Sequence, residues 1–483
     1  MQKISVKTIY LILVISIGLV GLGVGSTFAM FTASSKIDNP ISFTAGIFGE
    51  SDVIETVEVT VPAGETKATN LHVTNSTNSN LNYVMWYIDE GLDIELGSKR
   101  TDSGTYQTTI GAGEEHQYEV SIRNNSNSDV TVVIGVSSGT GSVTLSSDMK
   151  MVPQSELKPT LASVITNLYN NSTKTPVVNN SITYQYDTTN NLMQDTAGNI
   201  RYYGATPKNY VYFNCDSYPS TNCELWRIIG VFDGKIKLMR NETIGKYSWD
   251  TSASSVNSGS GVNEWSQADL MKLLNPGHES ESVGGSLYYN SKSGTCYSGQ
   301  SNATTSCNFT STGIKNDTTR NMIADITYNT GGHTTSNVFS NVMYEKERGI
   351  TTVSNPSDGI TRTTTWTGKI ALAYPSDYGY ATDLSKCSQT LFNYDSSTDS
   401  YACRSNDWMY PIITNSGKIY GWLLTLYSGN ANYSFYVTSP GYVNNNFDVY
   451  DAFRVAPVLY LGSDKDIVSG DGSQSNPYQL ANS

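Results

Sequence analysis

The sequence is poor in charged residues, and basic residues are fewer than acidic ones. Only 15% of its 483 residues are charged, and 30 Lys and Arg face 43 Asp and Glu, which gives a formal net charge of -13. Binding to nucleic acid requires a basic surface that neutralises phosphates, and binding to an anionic membrane surface has the same requirement. We therefore exclude nucleic acid as a partner and disfavour an anionic membrane surface.

The motifs of common hydrolases and metalloenzymes are also missing. The four histidines lie outside any GxSxG or HExxH motif, and no CxxC pair occurs: they are His72, His116, His278 and His333. Because no motif surrounds them, we interpret these histidines as turn or surface residues. A triad assembled in space would leave no local sign in the sequence. We assign no catalytic residue and no metal ligand.

Acidic residues near the C-terminus loosely resemble a calcium-binding loop. Asp464, Asp466 and the pair Asp471-Gly472 do not have the DxDxDG spacing of an EF-hand. A solvated turn is the preferred interpretation, and calcium is the one cofactor that stays open.

Cysteine is absent from the first 214 residues, and all six cysteines lie beyond them. They border three short polar loops, which predicts the pairs Cys215–Cys223, Cys296–Cys307 and Cys387–Cys403. An even number of cysteines together with an export signal favours disulfides over metal ligation.

Residues 1–31 carry that export signal. Lys3 and Lys7 precede an apolar run over residues 9–24, and Thr27-Phe28-Ala29 places small residues at the −3 and −1 positions of a cleavage site. A cleaved signal peptide and an N-terminal membrane anchor both stay open. Either one predicts that the rest of the chain is extracellular, at the cell surface or secreted.

What the sequence does contain is typical of a β-rich extracellular protein. It has 33 Tyr, and Ser, Thr, Asn and Gly dominate its polar positions. Residues 32–148 predict an antiparallel β-sandwich, because short runs of alternating apolar residues are separated by turns. These runs are residues 57–61, 71–73, 83–88, 118–122 and 130–136.

Residues 149–180 predict a helix and a linker. Leu161, Val164, Ile165 and Leu168 have helical spacing, and the Asn/Ser/Thr-rich segment that follows lacks apolar periodicity.

Residues 181–483 predict a second domain of the α+β class with a largely antiparallel sheet. Its clearest part is a set of three strands over residues 209–240, in which Asp233-Gly234 forms a two-residue hairpin turn. Short helices and further strands follow in mixed order, which does not fit an alternating parallel sheet.

Three segments of this domain carry a family resemblance: WRIIGVFDGKIKL, GKIALAYPSDYGYAT and AFRVAPVLYLGSDKDIVSGDGSQSNPYQL. They resemble an uncharacterised surface-protein domain of gut Firmicutes, which is similar to the Fibrobacter major paralogous domain. The resemblance covers about residues 185–480 and implies the C-type-lectin or formylglycine-generating-enzyme fold. C-type lectins bind sugar through a Trp-Asn-Asp run, whereas this chain has Asn406-Asp407-Trp408.

A second resemblance lies at the N-terminus. Residues 29–46, within the string AMFTASSKIDNPISFTAGIF, resemble the start of camelysin-like exported fibre subunits, in which an aromatic-rich start is followed by Asn and Phe-Thr-Ala-Gly. The resemblance implies the same export route and a fibre subunit as one alternative function.

Aromatic and amide side chains concentrate between residues 405 and 447. Aromatic faces stack on sugar rings, and amides bond to hydroxyl groups. Trp422 and Tyr436 have strand patterns that favour core packing. The predicted ligand-binding residues are Trp408, Tyr410, Asn430, Tyr433, Tyr442 and Asn444.

Together these observations predict an exported, adhesin-like bacterial surface protein that binds an extracellular glycan or protein. A secreted glycan hydrolase and a matrix or fibre subunit are the alternatives.

Overall fold

The chain forms two units, residues 1–157 and residues 158–483. The computed structural model describes residues 41–45, 53–251, 260–349, 352–355, 360–394 and 398–481. The signal or anchor predicted over residues 1–31 lies outside them. Within the described ranges, no helix has the length and apolar character needed to cross a membrane.

Unit 1 is a sandwich of two sheets, whose strand orders are β1-β3-β7-β5 and β2-β8-β4-β6, with β9 added to β4. β1 runs parallel to β3, and the other pairs are antiparallel. The strands are β1 (Ile41–Ala45), β2 (Val53–Val61), β3 (Thr66–Asn75), β4 (Leu81–Ile88), β5 (Ile94–Arg100), β6 (Thr109–Ile110), β7 (Glu115–Asn124), β8 (Val130–Gly139) and β9 (Lys150–Met151).

The core of unit 1 follows from the alternation that the sequence shows. Leu71 and Val73 of β3 are fully buried, whereas His72 between them is only partly buried. Val132 and Ile134 of β8 enter the same cluster from the other sheet. One apolar face per sheet therefore closes the sandwich without a disulfide, and the predicted antiparallel β-rich fold is confirmed.

Unit 1 also contains an internal repeat that strand alternation does not reveal. VPAGE at residues 61–65 recurs as IGAGE at residues 110–114, and NSTNS at residues 75–79 recurs as NNSNS at residues 124–128, an offset of 49 residues in both cases. The pairing is reciprocal: the Asn75 N–H donates to the Glu114 carbonyl at 2.9 Å, and the Asn124 N–H donates to the Glu65 carbonyl at 2.9 Å. A pseudo-two-fold axis therefore relates β2–β4 to β6–β8.

Each repeat is closed by one buried asparagine. The Asn75 Nδ2 lies 2.8–3.2 Å from three carbonyl oxygens, and the Asn124 Nδ2 lies 2.7–3.1 Å from three. Each Oδ1 accepts the backbone N–H and the hydroxyl of the residue two positions on, Thr77 or Ser126. Asn75 therefore bonds its own loop to the turn between β6 and β7. Asn124 bonds its own loop to the turn between β2 and β3 in the same way.

The predicted interdomain segment contributes to both units. β9 pairs with β4, and Val152 is buried in the core of unit 1, so the sandwich extends beyond residue 148. Residues 175–179, which we expected in a linker, form a strand of unit 2. Pro176 hid this strand from the sequence pattern, because proline is tolerated only where a strand lies at the edge of a sheet.

The largest sheet of unit 2 has the order β10-β11-β12-β13-β15-β14-β31-β30, and β16, β29 and β24 extend it from β15. A second sheet has the order β17-β28-β25-β26-β27, and β18-β19, β20-β23 and β21-β22 are two-stranded. The strands are β10 (Thr175–Asn179), β11 (Ile182–Asp187), β12 (Leu192–Gln194), β13 (Ile200–Tyr202), β14 (Tyr210–Phe213), β15 (Glu224–Phe232), β16 (Lys235–Arg240), β17 (Lys246–Ser248), β18 (Ser293–Gly299), β19 (Ala303–Asn308), β20 (Ile326–Asn329), β21 (Thr352–Asn355), β22 (Ile360–Thr363), β23 (Thr365–Gly368), β24 (Ile370–Ala371), β25 (Gly421–Leu426), β26 (Tyr433–Val437), β27 (Val443–Asp448), β28 (Ala452–Arg454), β29 (Val458–Leu461), β30 (Ile467–Ser469) and β31 (Tyr478–Leu480).

The helices of unit 2 are short. They are α1 (Leu161–Asn170), α2 (Asp269–Leu274), α3 (Asp317–Met322), α4 (Ser340–Gly349), α5 (Pro375–Ala381), α6 (Thr398–Ser405) and α7 (Tyr410–Ile413), with 3₁₀ turns at Trp265–Gln267 and Leu391–Asn393. In α1, Thr160 caps the first turn by accepting the Ser163 N–H at 3.1 Å. Leu161 and Ile165 then pack against β15 and β16, so this helix belongs to unit 2.

The three strands predicted over residues 209–240 form β14, β15 and β16. Asp233 and Gly234 have φ values of 49° and 70°, as a tight hairpin turn requires. Gly230 sits at a bulge in β15, where a Cβ would lie 2.1 Å from the Ile200 carbonyl oxygen. Glycine is therefore required for β13 to pair with β15.

All three predicted disulfides are confirmed: Cys215–Cys223, Cys296–Cys307 and Cys387–Cys403. The two cysteines of these pairs are separated by 8, 11 and 16 positions, respectively. The pairing could be predicted because each cysteine is bonded to its neighbouring cysteine along the chain.

Candidate functional site

Unit 2 contains a shallow surface cleft of about 580 Å³ that is largely open to solvent. One wall comes from α6, through Arg404 and Ser405, and the wall beside it comes from α7, through Tyr410 and Pro411. The remaining lining is Ala205, Asp407, Ser416, Gly417, Ser439 and Pro440. Nine of these ten residues lie in the range 404–440.

Local structure fixes the walls of the cleft. Cys403 at the end of α6 is bonded to Cys387, which anchors the helix that carries Arg404. The Tyr410 hydroxyl donates to the Ser439 carbonyl oxygen at 2.7 Å, and the Arg404 Nη1 donates to the Pro440 carbonyl oxygen at 2.7 Å. Both helices are thereby tied to the turn between β26 and β27.

Asp407 is the buried charge of the cleft, with an exposed fraction of 2%. Its Oδ1 accepts the backbone N–H groups of Met409 at 2.8 Å and Tyr410 at 3.2 Å, and its Oδ2 accepts the Thr382 hydroxyl at 2.8 Å. Burial raises the pKa of Asp407 to about 7, against the opposing effect of these hydrogen bonds. A fraction of the carboxyl groups is therefore protonated at neutral pH.

Among the described residues that line the cleft, Asp407 is the single carboxylate. Glycoside hydrolysis generally uses two carboxylates on either side of the scissile bond. The described lining supplies one such group.

A separate cluster of charges lies wholly within the interior of unit 2. The Asp377 Oδ1 accepts the Arg201 Nη1 at 2.8 Å, and its Oδ2 accepts the Lys237 Nζ at 2.5 Å. The Arg201 Nε also donates to the Asp195 Oδ2 at 2.6 Å. These side chains are at most 1% exposed, so they fit a structural role that ties α5 to β13 and β16.

The pKa values of this cluster agree with a charged network. Burial raises the pKa of Asp377, but the charges of Lys237 and Arg201 outweigh that effect and lower it to about 2. Burial lowers the pKa of Lys237 to about 8, against the opposing charge of Asp377. Both groups are charged at pH 7, which supports the structural interpretation.

The structure requires one correction to the predicted ligand-binding set. Trp408 is 1% exposed, and its indole N–H donates to the Tyr202 carbonyl oxygen at 3.0 Å. The Arg227 guanidinium lies 4.9 Å from its ring centroid. The ring is part of the core and cannot stack on a ligand.

Four of the other five predicted residues lie near the two ends of β26. Tyr433 stacks on Tyr427 with ring centroids 6.2 Å apart, and the Asn430 Oδ1 accepts the Asn432 N–H at 3.1 Å. The two ends of the five-residue β26 are roughly 13 Å apart at about 3.3 Å per residue. Asn430 and Tyr433 are therefore remote from the turn that borders the cleft.

Tyr442 and Asn444 lie nearer to that turn but do not line the cleft. The Tyr442 ring contacts Phe392 at a centroid distance of 5.6 Å, and the Asn444 Oδ1 accepts the Asn445 N–H at 2.8 Å. Of the six predicted residues, Tyr410 alone lines the cleft.

The sequence interpretation missed both charged residues of the described lining, Arg404 and Asp407. A local signal exists for Asp407, because an acidic residue just before a helix with an early proline is typical of a helix start. Arg404 has no local signal, since its place in the wall depends on the disulfide and on a turn more than 30 residues later in the chain.

Asp471, one of the acidic residues near the C-terminus, lies in a hydrogen-bonded turn. The Asp471 Oδ1 accepts the Ser473 N–H at 2.9 Å, and hydrogen bonds from Ser473 lower the pKa of Asp471. Within the described ranges, no group of three or more His, Cys, Asp or Glu side chains is arranged to hold a metal ion. The turn needs no ion to explain its geometry.

Comparisons with protein-family models, with curated proteins and with solved structures found no match for this chain. The two family resemblances in the sequence therefore stay predictions, and the proposals below depend on the chain's own residues.

Proposed function

We propose that this chain is an exported, adhesin-like bacterial surface protein that binds an extracellular glycan in the cleft of unit 2. The observation that carries the proposal is the lining of the cleft: a tyrosine ring and two prolines lie beside serine hydroxyls and an arginine. Aromatic and proline rings pack against the C–H face of a sugar, while hydroxyls and a guanidinium bond to its oxygens.

The export part of the proposal rests on two features. Three disulfides are typical of proteins outside the cytoplasm, and the start of the sequence has the pattern of a signal peptide or anchor. The cysteine-free unit 1 would then serve as a stalk or spacer that presents unit 2.

A glycan array probed with the chain identifies a ligand, and Tyr410→Ala then tests the site. We expect the substitution to weaken binding by about 5- to 150-fold, because a central aromatic contact contributes roughly 1–3 kcal/mol. Binding is measured by isothermal titration calorimetry with the strongest array ligand.

Tyr433→Ala is the matched control, because Tyr433 is also a half-buried tyrosine in the predicted set but lies outside the cleft lining. Its affinity should equal that of the unmodified chain. If Tyr433→Ala weakens binding and Tyr410→Ala does not, the ligand binds elsewhere on unit 2. If no glycan binds, the glycan proposal is wrong.

A further inference from the structure

Lys237 of β16 and Asp377 of α5 meet in the interior of unit 2. The Lys237 Nζ lies 2.5 Å from the Asp377 Oδ2, and both side chains are 0% exposed. Among the described residues, Lys237 is the one buried lysine. We propose that this ion pair condenses to an amide, which joins β16 and α5 by a covalent bond between side chains. Neither residue belongs to the described lining of the cleft.

The surroundings of the Lys237 amine favour its reaction as a nucleophile. The rings of Phe232, Tyr374 and Tyr460 surround Nζ, with centroids 5.3, 4.4 and 5.4 Å away. Burial lowers the pKa of Lys237 to about 8, so a fraction of the amine is neutral at pH 7 and carries a free electron pair. The fixed contact with the carboxyl group also gives the two groups a high effective concentration.

Arg201 of β13 is placed to stabilise the charge that develops during the attack. Its Nη1 donates to the Asp377 Oδ1 at 2.8 Å, and its Nη2 is buried with no hydrogen-bond partner among the described residues. When the Lys237 nitrogen attacks the Asp377 Cγ, negative charge collects on Oδ1, next to the guanidinium. Arg201 thereby offsets the low reactivity of an ionised carboxylate.

The condensation balances without a further reactant. The Lys237 ammonium carries three protons, and the Asp377 carboxylate carries none. The bond between Nζ and Cγ forms, the bond between Cγ and Oδ2 breaks, and Oδ2 leaves as water with two of the ammonium protons. The third proton stays on the amide nitrogen.

Removal of charge from the interior drives the condensation. Water solvates an ammonium and a carboxylate well, whereas burial removes that solvation and makes each ion costly. The described cluster has two cations, Arg201 and Lys237, and two anions, Asp195 and Asp377. The amide removes one of each sign and leaves Arg201 paired with Asp195 at 2.6 Å, so the remaining charges still balance.

A second lysine–aspartate pair of unit 2 serves as an internal control. The Lys369 Nζ lies 3.1 Å from the Asp325 Oδ2, but the Asp325 side chain is 66% exposed. Water solvates these ions, so nothing favours their replacement by an amide. This pair should therefore stay ionic.

Tryptic peptide mapping of the full chain tests the bond. The chain is purified folded, then denatured, reduced and digested, and trypsin does not cleave after a lysine whose amine is in an amide. We expect a branched product that joins residues 236–240 (IKLMR) to residues 370–386 (IALAYPSDYGYATDLSK), lighter than the two peptides together by one water. Release of residues 370–386 requires cleavage after Lys369, so the same product shows that the exposed pair is unlinked.

Variants assign the bond and the role of Arg201. Lys237→Met removes the amine but keeps an unbranched side chain, and the branched product should be absent. Arg201→Gln should lower the fraction of residues 370–386 found in the branched product, and Arg201→Lys should recover part of it. Asp325→Asn changes the exposed pair alone and should leave that fraction unchanged. Thermal melts confirm that each variant is folded.

If the larger part of residues 370–386 is released from the unmodified chain as a linear peptide, the pair is a lasting ion pair and the inference is overturned. A branch that fragment masses place at other residues, or that persists in Lys237→Met, overturns it as well. An unchanged branched fraction in Arg201→Gln removes the role given to Arg201. If Lys237→Met does not fold, the peptide map and fragment masses of the unmodified chain decide the question.

Discussion

Unit 1 and unit 2 stabilise their cores by different chemistry. Unit 1 has no cysteine, and its buried asparagines satisfy the carbonyls of turns that the pseudo-two-fold axis relates. Unit 2 has three disulfides and a wholly buried cluster of charged side chains. A repeated β-sandwich closes with neutral hydrogen bonds, whereas the larger unit with many short elements closes local loops with disulfides and joins distant segments through buried ion pairs.

The sharpest way to separate the two units is to reduce the disulfides. The disulfides close loops of 8, 11 and 16 residues. In the chain-entropy model, opening each one lowers the free energy of unfolding of unit 2 by about 2.5–3 kcal/mol, or by roughly 8 kcal/mol in all. We expect the unfolding transition of unit 2 to fall strongly in scanning calorimetry with reductant, with opening of all three bonds verified by thiol titration. The transition of unit 1 should stay in place, and a shift of both transitions would contradict the comparison.

The next largest effect is expected from the charge cluster of unit 2. Asp377→Ala leaves Arg201 and Lys237 in the interior without their shared carboxylate, which costs about 3–5 kcal/mol in the free energy of unfolding. Chemical denaturation followed by tryptophan fluorescence measures it, because six of the seven tryptophans lie in unit 2.

Asp325→Ala is the control for Asp377→Ala. Its side chain is 66% exposed and pairs with Lys369 at 3.1 Å, so the loss should not exceed about 1 kcal/mol. Equal effects of the two substitutions would mean that the buried cluster is not a structural tie.

The smallest effect tests the symmetry of unit 1. Asn75→Ala and Asn124→Ala each remove a donor from buried carbonyls, and we expect each to cost about 1–3 kcal/mol of unit 1 stability. The two losses should agree within about 1 kcal/mol if the repeats are equivalent. Calorimetry of the unit 1 transition measures both losses.

The matched controls are Asn78→Ala and Asn127→Ala, which lie at equivalent exposed positions of the same loops. Each should change stability by no more than about 0.5 kcal/mol. A large loss at Asn75 alone would show that the two repeats share a sequence pattern without sharing its energetic role.

The parts of the fold that the sequence predicts are those formed by neighbours along the chain. The hairpin at Asp233-Gly234 and the three disulfides depend on residues separated by fewer than 20 positions, so turn chemistry and spacing were sufficient. The repeat in unit 1 was also present in the sequence, but a search for strand alternation passes over a 49-residue period.

The cleft could be predicted only in part. The stretch of residues 405–447 was identified from its aromatics, and Tyr410 does line the cleft. Trp408, two positions earlier, is core instead, because its indole bonds to the distant Tyr202. Burial of an aromatic ring depends on long-range packing, so composition alone does not distinguish an aromatic residue that lines a cleft from one that is buried in the core.

The pseudo-two-fold axis of unit 1 has a consequence for the two sides of the sandwich. In an isologous interface between identical subunits, residue i of one subunit contacts residue j of the other, and residue j of the first contacts residue i of the second. The contacts between the two repeats are reciprocal in the same way. Here one chain supplies both halves, so the loop that a buried asparagine closes is present twice. The two halves differ in two places. The nine-residue β2 corresponds to the two-residue β6. The strand beside β3 is the parallel β1, whereas the strand beside the equivalent β7 is the antiparallel β5.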